Sequence, residues 1–122
     1  MVVDYHQFLG TMVQIRIDRP IGSRHPTYGY IYPVHYGYIP DTSSEDGAEI
    51  DVYLLGIEQP IEETSGVIIG IAHRRNDIED KLIATVDGKV LPREFVEAKL
   101  AFQDQYFETE YERLHVCRDQ ET

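Results

Sequence analysis

Residues 32–56 read YPVHYGYIPDTSSEDGAEIDVYLLG. Its middle gathers Glu45, Asp46, Glu49 and Asp51 around Gly47, and its end, DVYLLG, turns apolar. Like charges so close repel, so the cluster is either a well-hydrated turn or a cation site. Asp46 and Asp51 stand five residues apart across the glycine, and a turn leading into a strand brings both carboxylates toward one point. Hard cations such as Mg²⁺ take oxygen ligands of this kind, commonly one or two carboxylates completed by water and substrate phosphate.

Outward from this turn the pattern is mostly β. Upstream, residues 22–40 hold three prolines, three glycines and five tyrosines, and read as short extended pieces joined by turns. MVQIRIDRP (12–20) alternates Val13, Ile15 and Ile17 with polar residues, the period of a half-buried strand. Downstream, DVYLLGI (51–57), GVIIGIAH (66–73) and KLIATV (81–86) are apolar runs of covered strands, with EQPIEETSG as a surface connection and DGK (87–89) hairpin-like. From Pro92 the spacing becomes helical: Phe95, Ala98, Phe102 and Tyr106 form a stripe widened by Val96 and Leu100, and Gln103 belongs to the solvent side. VVDYHQFLG (2–10) reads as a second short amphipathic helix, and the residues after Val116 as a frayed tail. The fold class that results is mostly β: about five strands in a small barrel, with one long C-terminal helix packed outside.

The 122 residues suit a single domain, 1–122, and 42% apolar with 27% charged residues is an ordinary globular balance. A net charge of −11 speaks against a nucleic-acid groove, and no apolar run reaches the roughly 18 residues of a membrane helix. With no secretion pattern and the single cysteine Cys117, the expected location is the cytoplasm. Such acidity still permits a phosphate ligand where divalent cations reverse the local sign.

A second acidic turn, RRNDIEDK (74–81), contributes Asp77, Glu79 and Asp80, and Arg24, Arg74, Arg75 and Lys81 flank the two turns. Arginine suits phosphate oxygens and lysine acts as a point charge; for Arg74 and Arg75 plain charge balance is an equal reading. His6, His25, His35, His73 and His115 share no HExxH-like spacing, so the sequence offers no zinc motif. Neither a GxSxG nor a GxxxxGK segment occurs.

Taken together, YPVHYGYI, DGAEIDV and NDIEDKLIA resemble, in order, the YPxNYGYI-like segment, the DGDPxDV turn and the charged turn before a strand of the soluble family I inorganic pyrophosphatases. The resemblance covers roughly residues 13–107. It implies an OB-like five-stranded barrel and a site where several Mg²⁺ ions (or Mn²⁺) hold pyrophosphate or another phosphorylated small molecule for hydrolysis. It further implies Asp46, Asp51, Asp77 and Glu79 as metal ligands, and Arg24, Tyr36, Lys81 and Tyr106 at the phosphate, with Tyr36, Asp46 and Lys81 catalytic. Self-association into a homo-oligomer follows by analogy alone.

Three positions depart from the family pattern: Ala48 replaces the aspartate that helps deprotonate the nucleophilic water, Arg16 a metal-linked glutamate, and Phe107 a lysine. The chain is therefore expected to be a metal-dependent phosphoanhydride hydrolase or, alternatively, a non-catalytic descendant that binds metal, phosphate or a protein partner.

Overall fold

The computed structural model describes residues 4–43, 47–74, 80–104 and 109–113. A single 3₁₀ turn, Tyr5–Phe8, precedes β1 (Met12–Arg19), β2 (His35–Ile39), β3 (Ile50–Leu55), β4 (Glu63–Arg74), β5 (Lys81–Thr85), α1 (Arg93–Asp104) and β6 (Thr109–Arg113). The strands follow the order β1-β2-β3-β5-β4, and a β1–β4 pairing closes them into the expected five-stranded barrel. All of these pairings are antiparallel except β3 with β5.

The apolar runs are continuous because three strands are covered on both faces. Val52, Leu54, Ile68, Ile71, Leu82 and Ala84 point into the barrel with Ile15, Ile39 and Ile50. Their alternates Tyr53, Leu55, Ile69, Ala72 and Ile83 form a second core outside it, under Val96 and Leu100 of α1. Burying each such side chain is worth about 1.5–3 kcal/mol, so the helix is held by the outer face of the barrel.

Several local expectations are corrected. The amphipathic segment near the amino terminus is one 3₁₀ turn, capped by Asp4, whose side chain accepts from the His6 N–H. Glu63, Thr64 and Ser65, read as surface connection, open β4 and pair with β1. Asp87, Gly88 and Lys89 form a turn that leads to the helix, not a hairpin. On α1 the inward stripe is Val96 and Leu100 with Phe102 and Gln103 half-buried, while Phe95 and Ala98 face solvent. The stripe is rotated because Gln103 is needed by buried polar groups described below. β6 was not legible: TEYER (109–113) is mostly polar, as edge strands often are, and it pairs with the last five residues of β4.

Twelve residues make β4 long enough to serve two partners along one edge, β1 over Glu63–Val67 and β6 over Gly70–Arg74. No helix among the described residues is long and apolar enough to cross a membrane.

At one point the barrel closes on a glycine. A Cβ on Gly37 would lie 1.9 Å from the Arg16 carbonyl oxygen, on backbone that cannot swing aside. Gly37→Ala is expected to lower unfolding free energy by about 3 kcal/mol or more, at or beyond the upper end for overpacked cores; urea denaturation checks it, and a loss under about 0.5 kcal/mol would contradict the tight crossing.

Candidate functional site

Strand register builds a row of polar groups on the outer face of the barrel. Arg16 lies opposite Tyr38, and Tyr38 opposite Asp51. Directly opposed residues share a face. The parallel pairing of Val52 with Leu82 then sets Asp51 beside Lys81, and the Lys81 ammonium contacts the Asp51 carboxylate. Lys81 is buried and Asp51 half-buried, so the pair is partly withdrawn from water. In the next row Tyr36 faces Tyr53. The Lys81 Nζ stands 5.8 Å from the centre of the Tyr36 ring.

Burial, the Asp51 charge and a hydrogen bond to Asp51 push the Tyr36 phenol far above its ordinary range, against a smaller opposing pull from Arg74. Tyr36 therefore keeps its proton near neutrality. Its chemistry is that of a hydrogen-bond donor, not of a base or a nucleophile.

Arg74 completes this face. It is buried at the end of β4, and its Nη2 donates to the Tyr53 hydroxyl at 2.6 Å and to Gln103 Oε1 at 2.9 Å. Gln103 Nε2 in turn donates to the Tyr30 hydroxyl at 3.1 Å. Around them run aromatic contacts, Tyr36 with Tyr53 at 5.3 Å, Tyr32 with Tyr36 at 5.9 Å and Tyr32 with Phe102 at 5.2 Å between ring centres. A buried guanidinium is costly unless its donors are satisfied. Arg74 is thus an internal cation with built partners on β3 and α1. The sequence carried one signal, an arginine directly continuing the apolar run of β4, but nothing in it pointed to Tyr53 or Gln103.

Of the residues singled out by sequence, Asp51, Lys81 and Tyr36 come together. Arg24 is exposed, and its Nη1 donates to the Gly29 carbonyl of its own loop at 2.8 Å. Asp46, Asp77, Glu79 and Tyr106 lie outside the described residues, as does Phe107. Ala48 and Glu49 are exposed in the bend just before β3. Arg16 is exposed too, with Nε 3.9 Å from Glu63 Oε1. Among the described residues Asp51 is the carboxylate of this face, contacted by the Lys81 ammonium and hydrogen-bonded to the Tyr36 hydroxyl; carboxylate oxygen is the hard kind of donor that Mg²⁺ takes.

His35, between the two tyrosines of YPVHY, is fully buried. Its Nδ1 accepts the Ile21 N–H at 3.1 Å, which ties the entry of the β1–β2 loop to β2 and requires an unprotonated Nδ1. Burial lowers its pKa, and the nearby Ile57 and Gln59 backbone offsets this only in part.

A protein-family model described as Inorganic pyrophosphatase matches residues 10–98. Among solved structures, the inorganic pyrophosphatase of Ehrlichia chaffeensis aligns with a TM-score of 0.68 at 18% identity, covering 87% of this chain and 88% of that one. Those of Neisseria gonorrhoeae (TM-score 0.61, 20% identity, 90% of each chain) and Thermus thermophilus (0.62, 19%, 93% of this chain and 87% of that one) share the same fold. No curated protein matches in sequence.

The lowered His35 pKa makes a signed prediction. The unfolded state takes up the proton first, so this contribution to stability is complete above the unfolded value of about 6.5 and is lost as pH falls through the lower folded value. His35→Asn keeps an acceptor but cannot titrate. Urea unfolding near pH 7.5 and pH 5.5 should show a smaller stability difference in the variant than in the wild type; an equal difference would remove His35 from the acid response.

Proposed function

Because the chain belongs to the inorganic pyrophosphatase family, we propose that it hydrolyses inorganic pyrophosphate or a closely related phosphoanhydride with a divalent cation, Mg²⁺ before Mn²⁺. Asp51, with Asp46, Asp77 and Glu79, would hold the cation. Such an ion supplies Lewis acidity, which neutralises phosphate charge and favours deprotonation of water. The observation that carries the reading is the meeting of Asp51, Lys81 and Tyr36 on one face of the barrel.

Each of these groups has a distinct task. Lys81 offers an ammonium to the anionic substrate, which draws it from Asp51 toward phosphate oxygen. The Tyr36 hydroxyl, held protonated, donates a hydrogen bond, to Asp51 or to a phosphate oxygen. Arg74 adds positive potential beneath the site while its bonds to Tyr53 and Gln103 hold the floor in place. Arg24, on the β1–β2 loop, and Tyr106 are proposed to contact the phosphate. The cytoplasm is the proposed location and a homo-oligomer the proposed assembly, both by analogy with the family.

The methyl group of Ala48 accepts no proton. General-base catalysis typically contributes about 10²- to 10⁴-fold, so turnover is expected to be slow. Glu49 follows Ala48 directly but lies in the exposed bend before β3, one residue short of the strand that carries Asp51, so it does not stand in the position that Ala48 occupies.

Phosphate release from pyrophosphate, measured with Mg²⁺, Mn²⁺ or no metal, tests the proposal. Wild type should turn over slowly and only with metal, Asp51→Asn should fall by about 10²-fold or more, and Ala48→Asp should gain at least about 10²-fold. Cation binding without turnover in all three proteins would replace the hydrolase with the non-catalytic binding protein, the reading that Ala48 favours.

A further inference from the structure

Adjacent residues of a strand point to opposite faces, and at the end of β4 this separates two clusters. Ala72 belongs to the outer core and Ile71 to the barrel interior, so Arg74 continues the outer face and His73 the inner one, at the barrel mouth. β6 places Glu112 opposite Ile71, which makes His73 its diagonal neighbour on the same face. The 3₁₀ turn brings His6 over both, with Tyr5 anchored in the barrel core.

The three side chains converge. His6 Nε2 lies 2.8 Å from each oxygen of Glu112, His73 Nε2 lies 2.9 Å from Glu112 Oε1, and the ligand atoms all fall within 4.8 Å of one another. We propose that His6, His73 and Glu112 form a binding site for a zinc-class divalent cation, distinct from the face that carries Asp51 and Lys81.

A second observation points the same way. His73 Nδ1 stands 2.8 Å from Asp80 Oδ2, and the other oxygen of Asp80 accepts the Arg74 N–H at 3.3 Å, so that carboxylate is itself fixed. His6 Nδ1 lies 3.5 Å from Asp4 Oδ1. At His73 the carboxylate at Nδ1 holds the proton there and leaves the Nε2 lone pair for a metal, the arrangement that supports histidine ligands in metal sites.

The donor set selects the ion. Two imidazole nitrogens and one carboxylate suit zinc and its neighbours, whereas Mg²⁺ takes oxygen. Zinc–ligand bonds of about 2.0–2.1 Å in a tetrahedron place donors about 3.3 Å apart, a value between the 2.8 Å contact at Glu112 and the 4.8 Å within which all the ligand atoms lie, so binding asks for side-chain shifts and no rearrangement of the strands. His6, His73 and Glu112 are 56%, 30% and 40% exposed, which leaves room for water as a further ligand. The bound ion would clamp the amino-terminal turn and the edge strand β6 onto β4, joining residues 106 apart in the chain.

Calorimetric titration of Zn²⁺ into the full chain, with Mg²⁺ in excess, tests this. Wild type should bind one equivalent at micromolar concentration or tighter and gain in Tm as Zn²⁺ is added. His73→Gln and Glu112→Gln should weaken binding at least 100-fold and lose the Tm gain, with circular dichroism confirming that they fold. Asp80→Asn, which removes only the supporting charge, should weaken binding about 10- to 100-fold. Asp51→Asn and Cys117→Ser should bind as wild type does. Absence of Zn²⁺ binding by the wild type, binding retained in both His73→Gln and Glu112→Gln, or binding that depends on Asp51 or Cys117 would each overturn the proposal.

Discussion

Asp51 and Lys81 touch only because β5 lies between β3 and β4 and runs parallel to β3. Thirty residues separate them in sequence, and no hairpin could join their strands in that direction, since parallel neighbours need a crossover. β4 is that crossover. Its length lets it close the barrel on β1, cover β5 and receive β6, so the strand that completes the fold also delivers the paired carboxylate and ammonium to one face.

Burial on both faces of the central strands accounts for where polar groups can survive. Tyr53 is fully buried, yet its hydroxyl is served by Arg74, and Arg74 by Gln103 of the helix. A chain of net charge −11 thus keeps two cations, Arg74 and Lys81, in its least exposed polar region. Cations held this way bring positive potential to one patch of an otherwise acidic molecule. An anionic ligand would find its local complement there, independent of the overall charge.

The end of β4 shows how one strand divides its chemistry. His73 and Arg74 are neighbours in the chain, but the pleat sends the imidazole to the mouth of the barrel and the guanidinium to the outer face. Asp80 sits between these settings, since its two oxygens meet the His73 ring and the Arg74 backbone. The last residues before the charged turn are therefore braced from both sides.

The sequence by itself determined the barrel, the single long helix and the family, because alternation, unbroken apolar runs and the order of the YGYI and DGAEIDV segments are local signals that need no partner to be read. It also singled out Asp51, Lys81 and Tyr36. It misjudged the helix stripe, since the inward turn of Gln103 depends on Tyr53 and Arg74, which lie on strands far away in the chain. β6 and the His6–His73–Glu112 cluster stayed hidden for the same reason. A mostly polar edge strand carries little periodic apolar signal, and three ligands spread over 106 residues have no spacing to recognise. Tertiary structure alone decided these, because strand register and the direction of the pleat fix which side chains meet.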